Sequence, residues 1–174
     1  HHYGTYNERV TEQFRSFSDA FERILLDKLE PWAREDTLFL VTADHGSVET
    51  PNNPSYELRS HPDLVDMLTM QPTCEGRLPY LYVKPGLIEA VRQYFEHAWP
   101  GQFDLITRQQ VLDSGLLGRG TPHADLNNRI GDLVAIPHGK TYLWWPEKTN
   151  VMQGRHGGLH PDEMLVPLYS VPLN

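Results

Sequence analysis

The sequence has one cysteine, no long apolar run and no excess of basic residues. A lone Cys74 cannot form a disulfide within the chain, so a disulfide framework is excluded. No apolar stretch approaches the roughly 18 residues that a membrane-spanning helix needs. With 15 Lys and Arg against 23 Asp and Glu, the formal net charge is −8. Because binding to a nucleic-acid duplex depends on a basic surface, this charge argues against a duplex-binding protein.

The sequence also lacks a methionine at its start and opens with His1-His2-Tyr3. Either the two histidines are the remnant of an affinity tag, or the sequence begins inside a larger protein. Its 174 residues, 39% hydrophobic and 22% charged, are enough for one core but few for two complete domains.

The most apolar run of the chain, Thr37–Val41, is followed closely by Asp44, His45 and Gly46. The run is short and free of Gly and Pro, which predicts a strand buried on both faces. The carboxylate and the imidazole then lie at the carboxyl end of the strand, where open α/β sheets hold their ligands. Gly46 would let the backbone pass close to an ion. The alternative is a capped loop in which Asp44 accepts backbone N–H bonds and His45 is merely exposed.

A second candidate, His156, stands in the glycine-rich segment 154–158. Glycines on both sides permit a tight turn that could aim the imidazole into a site. Alone, such a histidine is usually an ordinary loop residue. Together with Asp44 and His45, it suits a divalent metal with mixed oxygen and nitrogen ligands.

Two further residues near His156, Arg155 and His160, are candidates for a role in the site. Arg155 is predicted to pair with Asp162 or Glu163, and a contact with a substrate phosphate is the alternative. His160 is a weaker ligand candidate, which we interpret as a surface residue before a helical turn.

The apolar periodicity predicts the remaining elements. Thr5 and Glu8 have the spacing of a capping box, and the residues after them predict an amphipathic helix ending near Pro31. Further helices are predicted at 87–97 and 108–114. Strands are predicted at 78–83 and 165–171, and Pro79 favours an edge position for the first of these. Two more strands, at 130–136 and 141–145, are predicted to form a hairpin. This order predicts an α/β layered sheet. Residues 1–51 and 149–174 would form a metal-bearing core, and residues 52–148 a small α+β insert.

Three stretches together resemble the alkaline phosphatase superfamily, most closely its type I phosphodiesterase/nucleotide pyrophosphatase branch. Residues 42–46 are similar to the Asp-His metal motif that follows a core strand in that family. Residues 154–167 resemble its closing segment, in which a metal-binding His precedes the last strand. Residues 1–4 look like the tail of an Asp-x-x-x-His-x-Tyr-Gly motif before a long helix. The resemblance runs nearly end to end and is looser in the middle.

This resemblance implies an alkaline-phosphatase-like fold and metal-dependent hydrolysis of phosphodiester or pyrophosphate bonds in a small phosphate-ester substrate. It implies two divalent metal ions, zinc or alternatively manganese. Asp44 and His45 would bind the metal that activates the nucleophile, and His1 and His156 the second metal. Bound metal ions would supply positive charge locally, so the acidic net charge does not exclude such a substrate.

The resemblance also implies groups that the sequence does not contain. An early Asp ligand, a Thr or Ser nucleophile and the Asp that opens the His1 motif would all lie upstream of His1. We therefore expect the chain to be a C-terminal portion of a catalytic domain, with the upstream half of the same domain as its partner. It would have no catalytic nucleophile of its own and would be inactive alone.

Other functions fit the same ligand motifs. A phosphomonoesterase, a sulfatase or a metal-dependent mutase of the superfamily would share the metal ligands but not the substrate pocket. A member of a different class would be a non-catalytic binding module that keeps a metal-site remnant. Trp144 and Trp145 are predicted to fill the core of the insert rather than to stack on a nucleobase. The sequence fixes neither the oligomeric state nor the compartment.

Overall fold

A computed structural model describes residues 1–118 and 120–173 and has a mixed α/β fold. The helices are α1 (Glu8–Ile24), α2 (Pro31–Arg34), α3 (Pro62–Met67), α4 (Ile88–Ala98), α5 (Arg108–Ser114), α6 (Leu126–Arg129) and α7 (Pro161–Met164). The strands are β1 (Leu38–Thr42), β2 (Val48–Glu49), β3 (Thr73–Glu75), β4 (Leu78–Leu81), β5 (Phe103–Thr107), β6 (Leu133–Pro137), β7 (Gly154–Arg155) and β8 (Leu168–Pro172). None of the helices in the described residues is both long and apolar enough to span a bilayer.

The strands of the described residues form three antiparallel sheets. β1 pairs with β8, with Thr42 opposite Leu168, and β2 pairs with β7, with Val48 opposite Arg155. The largest sheet has the order β3-β4-β6-β5. The two short pairings join the segment after Thr37 to the closing segment of the chain, so the regions of His45 and His156 are neighbours although they are distant in sequence.

The hydrophobic core lies between the four-stranded sheet, α3 and α4. Its fully buried side chains include Leu64, Leu81, Val91, Leu133 and Leu143. A second cluster covers the other part of the sheet and contains Leu78, Val111, Ile130 and Val134. Trp144 is buried and Trp145 packs against the core, which confirms their predicted packing role.

Helix boundaries follow from local capping. At α5, Thr107 Oγ1 accepts the N–H of Gln110 at 3.2 Å and Gln110 Oε1 accepts the N–H of Thr107 at 2.8 Å, so the helix begins where the sequence predicts it. At α1, the predicted capping box of Thr5 and Glu8 is wrong. Asn7 is the cap, since its Oδ1 accepts the N–H of Arg9 at 2.9 Å. The helix ends at Ile24, well before Pro31.

The prediction that the β1 strand is buried on both faces is wrong in this structure. Of its five residues, only Phe39 is half-buried. Helix α1 likewise has no buried residue, and its main link to β1 is a ring contact between Phe21 and Phe39, with centroids 4.9 Å apart. Because β8 is the one strand of the described chain that pairs with β1, an apolar sequence here does not produce a buried strand.

Two strand predictions also fail in the four-stranded sheet. β4 lies between β3 and β6 and is not an edge strand. Its ladder with β6 uses Tyr80 and Leu81 alone, so Pro79 lies outside that ladder. The predicted hairpin is wrong too, because β6 pairs with β4 and with the unpredicted β5. Residues 141–145 contribute only an isolated bridge from Trp144 to Glu57.

Candidate metal centre

Three histidines from distant parts of the chain converge at one place. One ring nitrogen of each of His1, His45 and His156 lies within 4.8 Å of the others. The rings of His45 and His156 are stacked with centroids 3.5 Å apart, and the ring of His1 lies 5.1 Å from that of His156. The structure thus brings together the three histidines that the sequence nominates.

His45 is positioned by the loop after β1. Its Nδ1 lies 2.6 Å from the carbonyl oxygen of Gly46, and its N–H donates to Asp44 Oδ1 at 3.0 Å. Asp44 Oδ2 lies 3.6 Å from His45 Nε2, yet the Asp44 side chain is 89% exposed. The carboxylate therefore lies at the rim beside His45, outside the group of three imidazoles.

Gly46 has a structural role that differs from the predicted close approach to an ion. Its N–H donates to the carbonyl of Glu163 at 2.9 Å. A Cβ at this position would overlap the carbonyl oxygen of Asp162. Only glycine permits this contact, which fixes the segment carrying His45 against the start of α7.

The turn that carries His156 is fixed by its glycines. Gly157 has φ of +96°, in the left-handed region, and a Cβ there would lie 2.8 Å from Glu75 Cβ. The N–H of Gly158 donates to Glu163 Oε1 at 3.1 Å. Glu163 thus holds both motifs, because its carbonyl binds the loop of His45 and its carboxylate binds the turn of His156.

His1 is anchored to the same turn by its backbone. Its carbonyl oxygen accepts the N–H groups of Gln153 at 2.7 Å and Gly154 at 2.9 Å. Its Nδ1 lies 3.0 Å from the carbonyl oxygen of Gly154. These contacts hold the first residue of the chain against the strand that leads to His156.

The prediction that Arg155 pairs with Asp162 or Glu163 is wrong. Its buried guanidinium lies 3.6 Å from the ring centroid of Tyr142 and donates to Thr50 Oγ1 at 2.7 Å and to Asn150 Oδ1. Burial lowers the pKa of Arg155 from its ordinary value, and Tyr142 partly opposes the shift. No carboxylate is among these partners. The Nη atoms of Arg155 donate to neutral oxygens and its guanidinium lies against a ring face, while Nε has no hydrogen-bond partner among the described residues.

The carboxylate of Glu163 pairs instead with Arg77, a residue that the sequence analysis does not nominate. Arg77 Nη2 lies 2.7 Å from Glu163 Oε2 and Nε lies 2.9 Å from Oε1. Neither position has a local pattern that marks it, and only the fold brings the two together. His160 caps α7, where its side chain accepts the N–H of Asp162, which confirms its position before a helical turn.

The donor set is one that a transition metal can use. Imidazole nitrogens with a nearby carboxylate suit zinc and related ions. In the histidine cluster the ring nitrogens lie within 4.8 Å of one another, which is close enough for the three side chains to hold a metal ion.

The sequence of the chain identifies the family to which it belongs. The sequence matches the type I phosphodiesterase/nucleotide pyrophosphatase family over residues 1–159, and the chain belongs to this family. The family is one of hydrolytic enzymes. No curated protein sequence matches the chain.

Solved structures of alkaline-phosphatase-like enzymes share the fold. One is human ectonucleotide pyrophosphatase/phosphodiesterase 5, with a TM-score of 0.69 and 15% identity over 98% of this chain and 43% of that chain. Another is the phosphonoacetate hydrolase of Sinorhizobium meliloti 1021, with a TM-score of 0.57 and 20% identity over 89% of this chain and 40% of that chain. The chain spans less than half the length of either protein.

Proposed function

We propose that this chain is a C-terminal part of a metal-dependent hydrolase that cleaves phosphodiester or pyrophosphate bonds in a small phosphate-ester substrate. The observation that carries the proposal is the convergence of His1, His45 and His156 within 4.8 Å. Family membership supports the reaction class. We further propose that residues 1–51 and 149–174 form the metal-bearing core and residues 52–148 an insert.

In this proposal Asp44 and His45 hold one divalent ion, and His1 and His156 hold a second. Zinc fits the imidazoles best, and manganese is the alternative. When bound, the two ions would lower the pKa of a hydroxyl nucleophile and stabilise negative charge on the phosphoryl oxygens. In this proposal the nucleophile is a Thr or Ser upstream of His1, as the resemblance to the family implies.

The chain's own residues orient the ligands. The carbonyl of His1 is held by Gln153 and Gly154, and the loop of His45 is held by Glu163. Such outer contacts fix ring orientation and raise metal affinity. Asp44 lies at the exposed rim with its Oδ2 3.6 Å from His45 Nε2, so these two neighbouring side chains would hold the same ion.

Zinc titration of the chain tests the metal site without any need for activity. We expect His156→Ala and His45→Ala each to weaken zinc binding about tenfold or more, because loss of a ligand exceeds the usual cost of losing a supporting contact. His123→Ala is the matched control, since His123 is exposed and lies outside the cluster. Equal affinity in all four proteins would refute the metal site.

Substrate comparison tests the reaction class. A longer protein that includes the upstream half should hydrolyse a p-nitrophenyl phosphodiester faster than the monoester or the sulfate ester. Faster monoester or sulfate turnover would favour a phosphomonoesterase or a sulfatase, and no turnover with intact zinc binding would favour a binding module. Efficient diester hydrolysis by the 174-residue chain alone would overturn the proposal that its nucleophile lies elsewhere.

A further inference from the structure

A cavity of about 220 Å³ opens beside the histidine cluster. His156 belongs to both, because it is one of the three converging histidines and also lines the cavity. A group bound in the cavity would therefore contact the same imidazole that faces the metal centre. A larger cavity, which is also lined by Trp144 and Trp145, has none of the three histidines in its wall.

Part of the cavity lining is apolar or aromatic. These lining residues are Leu143, Trp144, Trp145, Pro146 and Met152. The ring of Trp144 is held in place because its Nε1 donates to the carbonyl of Lys148 at 3.2 Å. Aromatic side chains present flat faces on which another ring can stack or pack edge to face.

The lining also includes the charged residues Glu75 and Arg155. Arg155 is 4% exposed, and its guanidinium is held against the ring of Tyr142. The cavity thus offers an apolar, aromatic surface beside His156.

The volume of the cavity limits the size of the ligand that it can hold. An apolar cavity of about 150 Å³ holds benzene, whereas pockets for larger molecules begin at about 300 Å³. At about 220 Å³, this cavity accommodates one six-membered ring with a small substituent and not a ring joined to a sugar.

We propose that this cavity binds a single uncharged aromatic ring borne by the ester group of the substrate, whose phosphoryl group lies at the metal centre. The ring packs against Trp144 and Trp145, which line the cavity. The placement beside a phosphoryl site rests on the proposed function, but binding of the ring itself does not. The substrate class is therefore an aryl phosphate ester.

Binding of p-fluorophenol to the metal-free chain, followed by fluorine NMR, tests the ring site directly. We expect saturable binding to the chain that Met152→Trp abolishes, because the larger side chain fills the cavity. Trp145→Ala should weaken binding about two- to tenfold, which is the usual range for one ring–ring contact. Trp32→Ala is the matched control and should bind normally, since Trp32 is exposed on α2 and does not line the cavity.

Cys74 gives a second readout, because this one cysteine of the sequence lines the cavity and is exposed. Bound p-fluorophenol should slow alkylation of Cys74 by N-ethylmaleimide in the unsubstituted chain and in Trp32→Ala. It should leave the rate unchanged in Met152→Trp. Binding that persists in Met152→Trp, or that gives no protection of Cys74, would overturn the proposal.

A separate measurement tests whether the cavity lies next to a working metal centre. With zinc present, p-fluorophenyl phosphate should bind more tightly than either p-fluorophenol or inorganic phosphate if both sites are adjacent and real. Loss of zinc and phosphate binding with intact p-fluorophenol binding would refute the proposed function and leave the ring site standing. Intact zinc and phosphate binding without p-fluorophenol binding would refute the ring site alone.

Discussion

Arg77 and Glu163 form a bidentate ion pair whose side chains are 0% and 1% exposed. Arg77 lies in the turn between β3 and β4, and Glu163 lies in α7. The same carboxylate accepts the N–H of Gly158, two residues after His156. The pair therefore ties the four-stranded sheet to the segment that carries the candidate metal ligands.

Breaking this pair should destabilise the protein strongly. Arg77→Met leaves Glu163 as a buried, unpaired charge, and we expect the free energy of unfolding to fall by about 3–5 kcal/mol. The double variant Arg77→Met/Glu163→Gln should lose less than the single variant, because it removes both charges and Gln can still accept from Gly158. Urea denaturation of the four proteins of this cycle measures the coupling.

Asp162→Asn is the control for that cycle, because the Asp162 side chain is 62% exposed. We expect its free energy of unfolding to change by less than about 0.5 kcal/mol, as for most surface substitutions. A double variant no more stable than Arg77→Met would contradict the assigned role of the pair.

Replacing Gly46 should disturb the site through the backbone. A Cβ at Gly46 meets the carbonyl of Asp162, so Gly46→Ala forces the loop of His45 away from α7. We expect the free energy of unfolding to fall by at least about 1–3 kcal/mol, and zinc to bind more weakly. Gly101→Ala, where a Cβ meets nothing within 4 Å, should lower stability modestly and leave zinc affinity unchanged. Identical zinc affinities in both variants would contradict this contact.

The apolar face of α1 should cause the isolated chain to associate. Phe14 and Phe17 are 69% and 64% exposed, and Leu40 of β1 is 56% exposed. Exposed apolar patches of this kind mark interaction surfaces or aggregation sites. We expect Phe14→Glu/Phe17→Glu to shift sedimentation velocity toward the monomer at high concentration. Arg15→Glu on the same helix, which changes charge but not the apolar face, should not.

Tyr80 should make the fold sensitive to alkaline pH. Burial, and then the neighbouring Cys74 thiol, raise the pKa of Tyr80 from 10.0 to about 12. The unfolded chain loses this proton first, so the stabilisation is present below pH 10 and is lost as pH rises through about 12. In denaturation at about pH 9 and about pH 11, on either side of the ordinary tyrosine pKa, Tyr80→Phe should lose less stability than the unsubstituted chain.

Tyr6→Phe is the matched control for the alkaline loss, since Tyr6 is 84% exposed. It should follow the unsubstituted chain at both pH values. An alkaline loss of the same size in Tyr80→Phe and in the unsubstituted chain would show that another group is responsible.

Local patterns predict local structure well in this chain. The helix at Arg108–Ser114 has the predicted bounds because its cap, Thr107, and the side chain that completes the capping box are three residues apart. The convergence of the three histidines is anticipated from family motifs rather than from spacing alone. The helix is thus predicted from residues within one turn of it, whereas the histidine cluster is predicted from motifs at three distant places in the chain.

The sequence does not specify which strands pair or which side chains contact one another. The β6 strand pairs with β5 and β4 rather than with its neighbour in sequence, because the sheet, not a turn, decides the ladder. Arg155 contacts Tyr142 and Asn150 rather than the predicted carboxylate of Asp162 or Glu163. The apolar β1 run predicts burial, yet burial requires elements on both of its faces, and the described chain supplies few. Each of these errors concerns which residues contact one another, not which local structure a segment forms.

The backbone anchoring of His1 has a practical consequence for anyone who produces this protein. Since the carbonyl of His1 is bonded to Gln153 and Gly154, any extension fused to its amino end is attached to a residue whose ring nitrogen lies within 4.8 Å of those of His45 and His156. A polyhistidine purification handle placed there would deliver competing imidazoles to the very ions being measured. A handle at the opposite terminus, or one removed by a protease, avoids that artefact.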